Sequence, residues 1–128
     1  MKILAVGGGS GGHVTQIVAV FKELQKVKDK NELHFWCDKK FGPQAKKIVH
    51  QYDDSIKIST IVSGKLRRYH HLSFVQHLLI LSVVFPNIID FFKVIFGTAQ
   101  SLIKLVVLRP NAIFAKGGHV CLPAGYAA

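Results

Sequence analysis

The chain has little acid and little cysteine, and each shortage excludes a class of protein. Its 128 residues carry seven acidic side chains against seventeen Lys and Arg, a net charge of +10. Residues 55–128 hold a single acid, Asp90. Cys37 and Cys121 are too few and too separated for a disulfide framework or a zinc site. We therefore expect a basic globular domain with free thiols, whose charge suits phosphates, anionic lipid or nucleic acid.

Uninterrupted apolar runs of membrane-spanning length are lacking too. The nearest, Leu78–Phe96, is broken by Pro86 and by polar side chains at positions 87, 90 and 93. We therefore expect no helix that crosses a bilayer. The wider segment Ser73–Val107 has apolar helical character and is predicted to be divided at Pro86 and Gly97.

Two interpretations of this apolar segment stay open. In the first, its helices are buried beneath a sheet. In the second, an exposed apolar face touches an anionic membrane surface. Basic side chains would assist that contact: Lys65, Arg67, Arg68, Lys93 and Lys104.

Strand and helix patterns alternate along the chain. Short apolar or alternating runs predict four strands, at Ile3–Val6, Leu33–Cys37, Ile56–Val62 and Asn111–Ala115. Helical spacing follows the first strand, and a second helix is predicted over Pro43–Tyr52. This order predicts an α/β fold, a Rossmann-like parallel sheet with helices on both faces.

A glycine-rich turn, GGGSGGH over Gly7–His13, separates the first strand from the first helix. Glycine permits positive φ angles and close backbone approach. Free N–H groups and the positive end of the helix dipole would face one small space, which suits a phosphate. The same glycines satisfy G-x-G-x-x-G, with Asp38 after the second strand as the ribose-binding acid. An NAD(P)-binding domain of an oxidoreductase therefore stays open as an alternative.

Three motifs, in order, resemble those of glycosyltransferase family 28. The GGGSGGH turn is similar to the family's G-G-T-G-G-H loop, with Ser10 in place of Thr. The segment Ile61–Arg68 resembles its I-x-S-G-x-x-R stretch. The segment Phe114–Pro123 resembles its G-G-Y/F-V-S-x-P loop, with His119 for the aromatic residue and Cys121 for Ser. The resemblance covers the amino-terminal half of such an enzyme. We therefore expect an incomplete acceptor-binding domain over residues 1–128, without the carboxyl-terminal UDP-sugar domain.

The resemblance implies a two-domain GT-B enzyme and a reaction. It implies inverting transfer of N-acetylglucosamine from UDP-N-acetylglucosamine to a polyprenyl-pyrophosphate-linked muramoyl-peptide acceptor in peptidoglycan synthesis. It places the enzyme in the cytoplasm, peripheral on the inner face of the plasma membrane, without metal, cofactor or nucleic acid.

Site residues follow from the same three motifs. His13 is the candidate general base, because an unperturbed histidine pKa lies close to working pH. Binding of the substrate and its diphosphate is predicted for Gly8, Gly9, Ser10, Gly11, Gly12, Ser63, Gly64, Arg67, Gly117 and Gly118.

Overall fold

The structure, a computed structural model, describes residues 1–8, 11–27, 30–65 and 81–128, the side chains of residues 81 and 83 excepted. Strands and helices alternate within these ranges. In chain order they are β1 (Lys2–Val6), α1 (Gly11–Val27), β2 (Glu32–Asp38), α2 (Gly42–His50), β3 (Lys57–Ile61), α3 (Leu81–Leu108), β4 (Ala112–Ala115) and α4 (Cys121–Ala127). Each predicted strand and helix boundary named above for these elements lies within two residues of the observed one, except in the apolar segment that contains α3.

The four strands form one parallel sheet in the order β3-β2-β1-β4. In the middle of it, Ala5 of β1 lies between Phe35 of β2 and Phe114 of β4. The chain moves outward from β1 to β3 and then crosses back to the other side of β1. The strand order therefore reverses between β1 and β4, where open α/β sheets usually bind ligands.

Side chains of β1 alternate between two apolar layers. Ile3 and Ala5 pack with α1 and α2, through buried residues that include Phe21 of α1. Leu4 and Val6 pack on the opposite face with residues of α3 and α4. Burial on both faces is typical of a parallel sheet. The prediction of an α/β fold with helices on both faces is confirmed.

The predicted division of the apolar segment is wrong, because α3 runs without a break through both Pro86 and Gly97. Pro86 lies in the second turn, where its missing N–H removes one hydrogen bond without ending the helix. Gly97 lies against the chain that leaves β3. A methyl group there would collide with the backbone carbonyl of Val62. This glycine lets the helix approach the sheet rather than interrupting it.

By length and composition alone, α3 could cross a membrane over Val84–Leu108. Length and composition do not separate a membrane span from a core helix, so the expectation of no spanning helix stays a prediction. The same helix packs on the sheet side through Ser101 and Leu105, which are both buried. Core helices of soluble proteins also meet this criterion.

Several polar side chains of α3 turn toward the protein, while many of its large apolar side chains turn outward. Asp90 is buried and pairs with Lys93 at 3.1 Å. Lys104 donates to the Thr60 carbonyl at 2.8 Å and lies over the Trp36 ring. Its predicted place among surface cations at a membrane is therefore wrong. Seven of the exposed apolar side chains define what is called here the apolar face of α3: Phe85, Ile88, Phe92, Phe96, Ile103, Val106 and Val107.

Candidate functional site

Two glycine-containing loops meet where β1 and β4 end. The Gly7 N–H donates to the Trp36 carbonyl at 3.0 Å, and the Lys116 N–H donates to the Val6 carbonyl at 2.9 Å. Each loop therefore extends the sheet pairing by one residue before it turns away. Because both strands are parallel, the two loops emerge at the same edge, at the reversal of strand order.

Close packing between these loops requires glycine. Gly117 and Gly118 have φ angles of 71° and 88°, the left-handed region that other residues rarely adopt. A methyl group on Gly118 would come within 2.7 Å of the Gly8 carbonyl oxygen. One on Gly8 would come within 2.8 Å of Asp38 Oδ1. The structure thus brings Gly8 and the second glycine pair into direct contact.

Helix α1 begins at Gly11, inside the glycine-rich turn. Its first turn holds no acidic side chain. A methyl group added to Gly12 would meet nothing within 4 Å among the described residues, and Gly12 is exposed. The first N–H groups of a helix lack partners within it, and its dipole is positive at this end. The start of α1 therefore offers room and positive potential to an anion.

His13 lies half-buried in the first turn of α1, beside the second loop. Its Cε1 atom is 3.9 Å from the position that a Cβ of Gly117 would occupy. Within the described ranges no side-chain hydrogen bond engages its ring. A ring nitrogen is therefore available to accept a proton at this position. We call the group Gly8, Gly11, Gly12, His13, Gly117 and Gly118 the glycine cradle.

The remaining predicted site residues are elsewhere. Gly9, Ser10 and Arg67 lie outside the described residues. Gly64 is buried against α3, where a methyl group would collide with the backbone of Asp90. Ser63 lines a separate cavity. Among the predicted site residues that the structure describes, those of the first motif lie together with Gly117 and Gly118 of the third. Ser63 and Gly64 of the second motif lie beside this group.

That cavity, of about 320 Å³, opens at the ends of β2 and β3 and against α3. His119, the neighbour of Gly118 in the chain, also lines it, so the cavity adjoins the glycine cradle. We call it the lysine pocket. Its polar lining consists of Asp38, Lys39, Lys40, Ser63, Lys65, Asp90, Lys93 and His119.

Among the residues predicted to bind substrate, the sequence analysis included none of Lys39, Lys40, Lys93 and His119. The Lys39-Lys40 pair directly after β2 is a signal that could have located the pocket, since ligands bind where parallel strands end. Lys93 reaches the pocket from the middle of α3. The sequence gives no local indication of that placement.

Positive charge is in excess in the lysine pocket. Asp38 accepts the Phe41 N–H at 3.0 Å, and Asp90 pairs with Lys93. Burial is the main cause that lowers the pKa of His119. The negative charges of Asp38 and Asp90 oppose this shift, whereas the positive charge of Lys65 adds to it. The lowered pKa favours the neutral imidazole of His119. Four lysines against two locally engaged carboxylates leave the pocket able to hold an anion.

Neither thiol is activated as a nucleophile. Burial, followed by the Asp38 charge, raises the pKa of Cys37 to about 11. Burial also raises the pKa of Cys121, whose Sγ donates to the Gly117 carbonyl at 3.0 Å. In the part of the chain that the structure describes, no three His, Cys, Asp or Glu side chains gather as a metal site. That the protein needs no metal or cofactor stays a prediction.

Comparison with known proteins decides the family. Residues 3–128 match the glycosyltransferase family 28 N-terminal domain. The chain belongs to glycosyltransferase family 28. Two curated relatives bear the name UDP-N-acetylglucosamine–N-acetylmuramyl-(pentapeptide) pyrophosphoryl-undecaprenol N-acetylglucosamine transferase. The one from Borreliella burgdorferi is 38% identical over 95% of this chain and 29% of its own length. The one from Streptococcus equi subsp. equi is 37% identical over 99% of this chain and 31% of its own length.

The fold is also similar to that of a solved family member. A crystal structure of Acinetobacter baumannii MurG aligns with a TM-score of 0.67 at 21% identity, over 99% of this chain and 32% of that one. The chain thus spans about a third of these relatives' length. The family match replaces the alternative of an oxidoreductase domain. Asp38, the candidate ribose-binding acid of that alternative, is largely buried and accepts the Phe41 N–H.

Proposed function

We propose that this chain forms the acceptor-binding part of an inverting N-acetylglucosaminyltransferase of peptidoglycan synthesis. The donor is UDP-N-acetylglucosamine, and the acceptor is a muramoyl-peptide linked through pyrophosphate to a polyprenyl lipid. The observation that carries the proposal is the glycine cradle, where two loops of the family motifs meet at a helix start with His13 between them.

The cradle suits a pyrophosphate. The open start of α1 presents backbone N–H groups, and Gly12 leaves the approach clear. Gly117 and Gly118 bring a second backbone to the same place. Ser10 would add a hydroxyl donor, as the family resemblance implies. Backbone donors fixed in this way need little rearrangement when the ligand binds.

His13 would serve as general base. The acceptor hydroxyl attacks C1 of the donor sugar, the bond from C1 to the UDP oxygen breaks, and the configuration at C1 inverts. A ring nitrogen of His13 takes the hydroxyl proton, and UDP leaves with the bonding electron pair. Removing such a base typically lowers the rate by about a hundredfold or more.

Donor binding belongs, in this proposal, to the part of the relatives that the 128 residues do not match. The curated relatives are about three times as long as this chain. We therefore expect no turnover of UDP-N-acetylglucosamine by the 128-residue chain alone. Joined to the remainder of the Streptococcus equi relative, it should transfer sugar. His13→Gln should lower that rate about a hundredfold and leave acceptor binding intact.

Calorimetric titration of the 128-residue chain tests acceptor binding directly. The ligand is a water-soluble acceptor with a short prenyl chain. Gly12→Asp places a negative charge in open space at the start of α1, so affinity should fall at least about tenfold. Gly125→Asp is the matched control, because Gly125 also has nothing within 4 Å. Equal losses in both variants, or none in Gly12→Asp, would contradict the proposal.

We further propose that the apolar face of α3 contacts the inner surface of the plasma membrane. Exposed apolar patches of this kind mark interaction surfaces. Few charges interrupt the exposed side of the helix from Phe85 onward, because Asp90 is buried, Lys104 turns toward the sheet, and the half-exposed Lys93 pairs with Asp90. A lipid-linked acceptor would bring the enzyme to that surface. Lys65 is exposed on the neighbouring loop and favours anionic lipid.

Vesicle co-sedimentation tests this contact. The double variant Phe92→Ser with Phe96→Ser should bind phosphatidylglycerol vesicles at least about tenfold more weakly. The reason is that burying one phenyl side chain away from water contributes ~1.5–3 kcal/mol. Val27→Ser, at an exposed apolar position of α1, is the control. If the wild-type chain does not sediment with vesicles, or if both variants behave alike, the proposed membrane contact is refuted.

A further inference from the structure

The lysine pocket has no role in the reaction as proposed so far. It lies at the ends of β2 and β3, while the glycine cradle lies at the ends of β1 and β4. Asp38 and His119 stand between the two. A ligand group held in the cradle therefore leaves the pocket open to a different group of the same molecule.

Ser63 supplies an independent sign that the pocket takes a polar ligand. Its Oγ atom is buried and has no hydrogen-bond partner among the described residues. Buried hydroxyls are nearly always paired, so an orphan one lining a cavity calls for an explanation. A ligand oxygen in the pocket would accept its hydrogen bond.

The charges define the chemistry of that ligand. Lys39, Lys40 and Lys65 have no ion-pair partner within the described ranges, and all three side chains line the pocket. The two carboxylates present are engaged locally, as described above. Several ammonium groups that line one cavity favour a compact anion with several oxygen acceptors. At about 320 Å³ the cavity has room for a small group rather than for a whole sugar nucleotide.

We propose that the lysine pocket binds a carboxylate of the acceptor's peptide, with ammonium groups of Lys40 and Lys65 and the Ser63 hydroxyl as donors. This inference rests on the proposed function, because it takes the acceptor to carry a peptide beside its pyrophosphate. The pyrophosphate occupies the cradle, and the peptide is the other anionic part of the molecule. The pocket would thus select acceptors by their peptide.

Calorimetric titration with separated parts of the acceptor tests the assignment on the 128-residue chain. The probes are muramoyl-pentapeptide without pyrophosphate, the same peptide with its carboxylates amidated, and inorganic pyrophosphate. The variant is Lys40→Gln with Lys65→Gln. The matched control, Lys46→Gln with Lys47→Gln on the exposed side of α2, removes the same charge outside the pocket.

The pocket variant should bind muramoyl-pentapeptide about tenfold more weakly than the control variant does. Amidation should weaken wild-type binding by a similar factor, and pyrophosphate affinity should be equal in the two variants. Three results would overturn the inference: no binding of the peptide by the wild type, equal losses in both variants, or a loss confined to pyrophosphate. The proposed function stands in each case if the complete acceptor still binds in a manner sensitive to Gly12→Asp, and falls if it does not.

Discussion

The contact between the two glycine loops can be tested by a single methyl group. In Gly118→Ala the new Cβ would lie 2.7 Å from the Gly8 carbonyl oxygen, at a φ angle of 88°. Holding alanine in the left-handed region costs ~1–2 kcal/mol. Relieving the close contact adds ~1–3 kcal/mol. Reduced freedom of the unfolded chain offsets ~0.4–1 kcal/mol. We expect the free energy of unfolding to fall by about 2–4 kcal/mol.

Urea unfolding followed by circular dichroism measures this change, with Gly125→Ala as the control. A methyl group on Gly125 would have no neighbour within 4 Å among the described residues, and no positive φ is found there. Its replacement should change the free energy of unfolding by less than about 0.5–1 kcal/mol. If Gly118→Ala is as stable as this control, the second loop does not pack on Gly8 as described, and the cradle loses its geometric basis.

Three further predictions concern the core and the titrating groups. Gly97→Ala should destabilise the chain by ~2 kcal/mol or more in the same urea assay, because the methyl group meets the Val62 backbone; an unchanged midpoint would show that α3 does not lie there. Burial lowers the pKa of His119 in the folded chain, so the unfolded chain binds this proton more readily. The free energy of unfolding should therefore decline as the pH falls below 6.5 and level off below the folded pKa. The decline should be smaller in His119→Gln. Cys37, with a pKa of about 11, should react with iodoacetamide at pH 8 about a hundredfold more slowly in the folded than in the unfolded chain; equal rates in mass spectrometry would contradict its burial.

The sheet could be predicted from local patterns alone. The apolar run of β1 and the alternation within β3 each mark a strand, and the helical spacing after Gly12 marks α1. Parallel order then requires the loops after β1 and β4 to emerge at one edge. The contact between Gly8 and Gly118 therefore follows from topology, although its closeness does not.

Contacts made by α3 could not be predicted in the same way. Gly97 and Gly64 are placed by close approach between α3 and the chain that leaves β3, a contact between segments far apart in sequence. From sequence alone, Gly97 in a helical segment is interpreted as a helix break, and Gly64 in a motif loop is interpreted as a ligand-binding residue. Lys104 turns inward for the same reason, since the sheet below α3 offers the Thr60 carbonyl as its partner. Lys93 instead pairs with Asp90, one turn earlier on α3 itself.

Amide chemical shifts offer the most direct test of pyrophosphate binding at the start of α1. The labelled 128-residue chain is titrated with the short-prenyl acceptor and followed in two-dimensional 1H–15N spectra. The account predicts that the largest shifts fall on the amides of Gly8, Gly11, Gly12, His13 and Gly118. Saturable binding that leaves these amides unmoved, with shifts confined to the outer edge of β3, would contradict it.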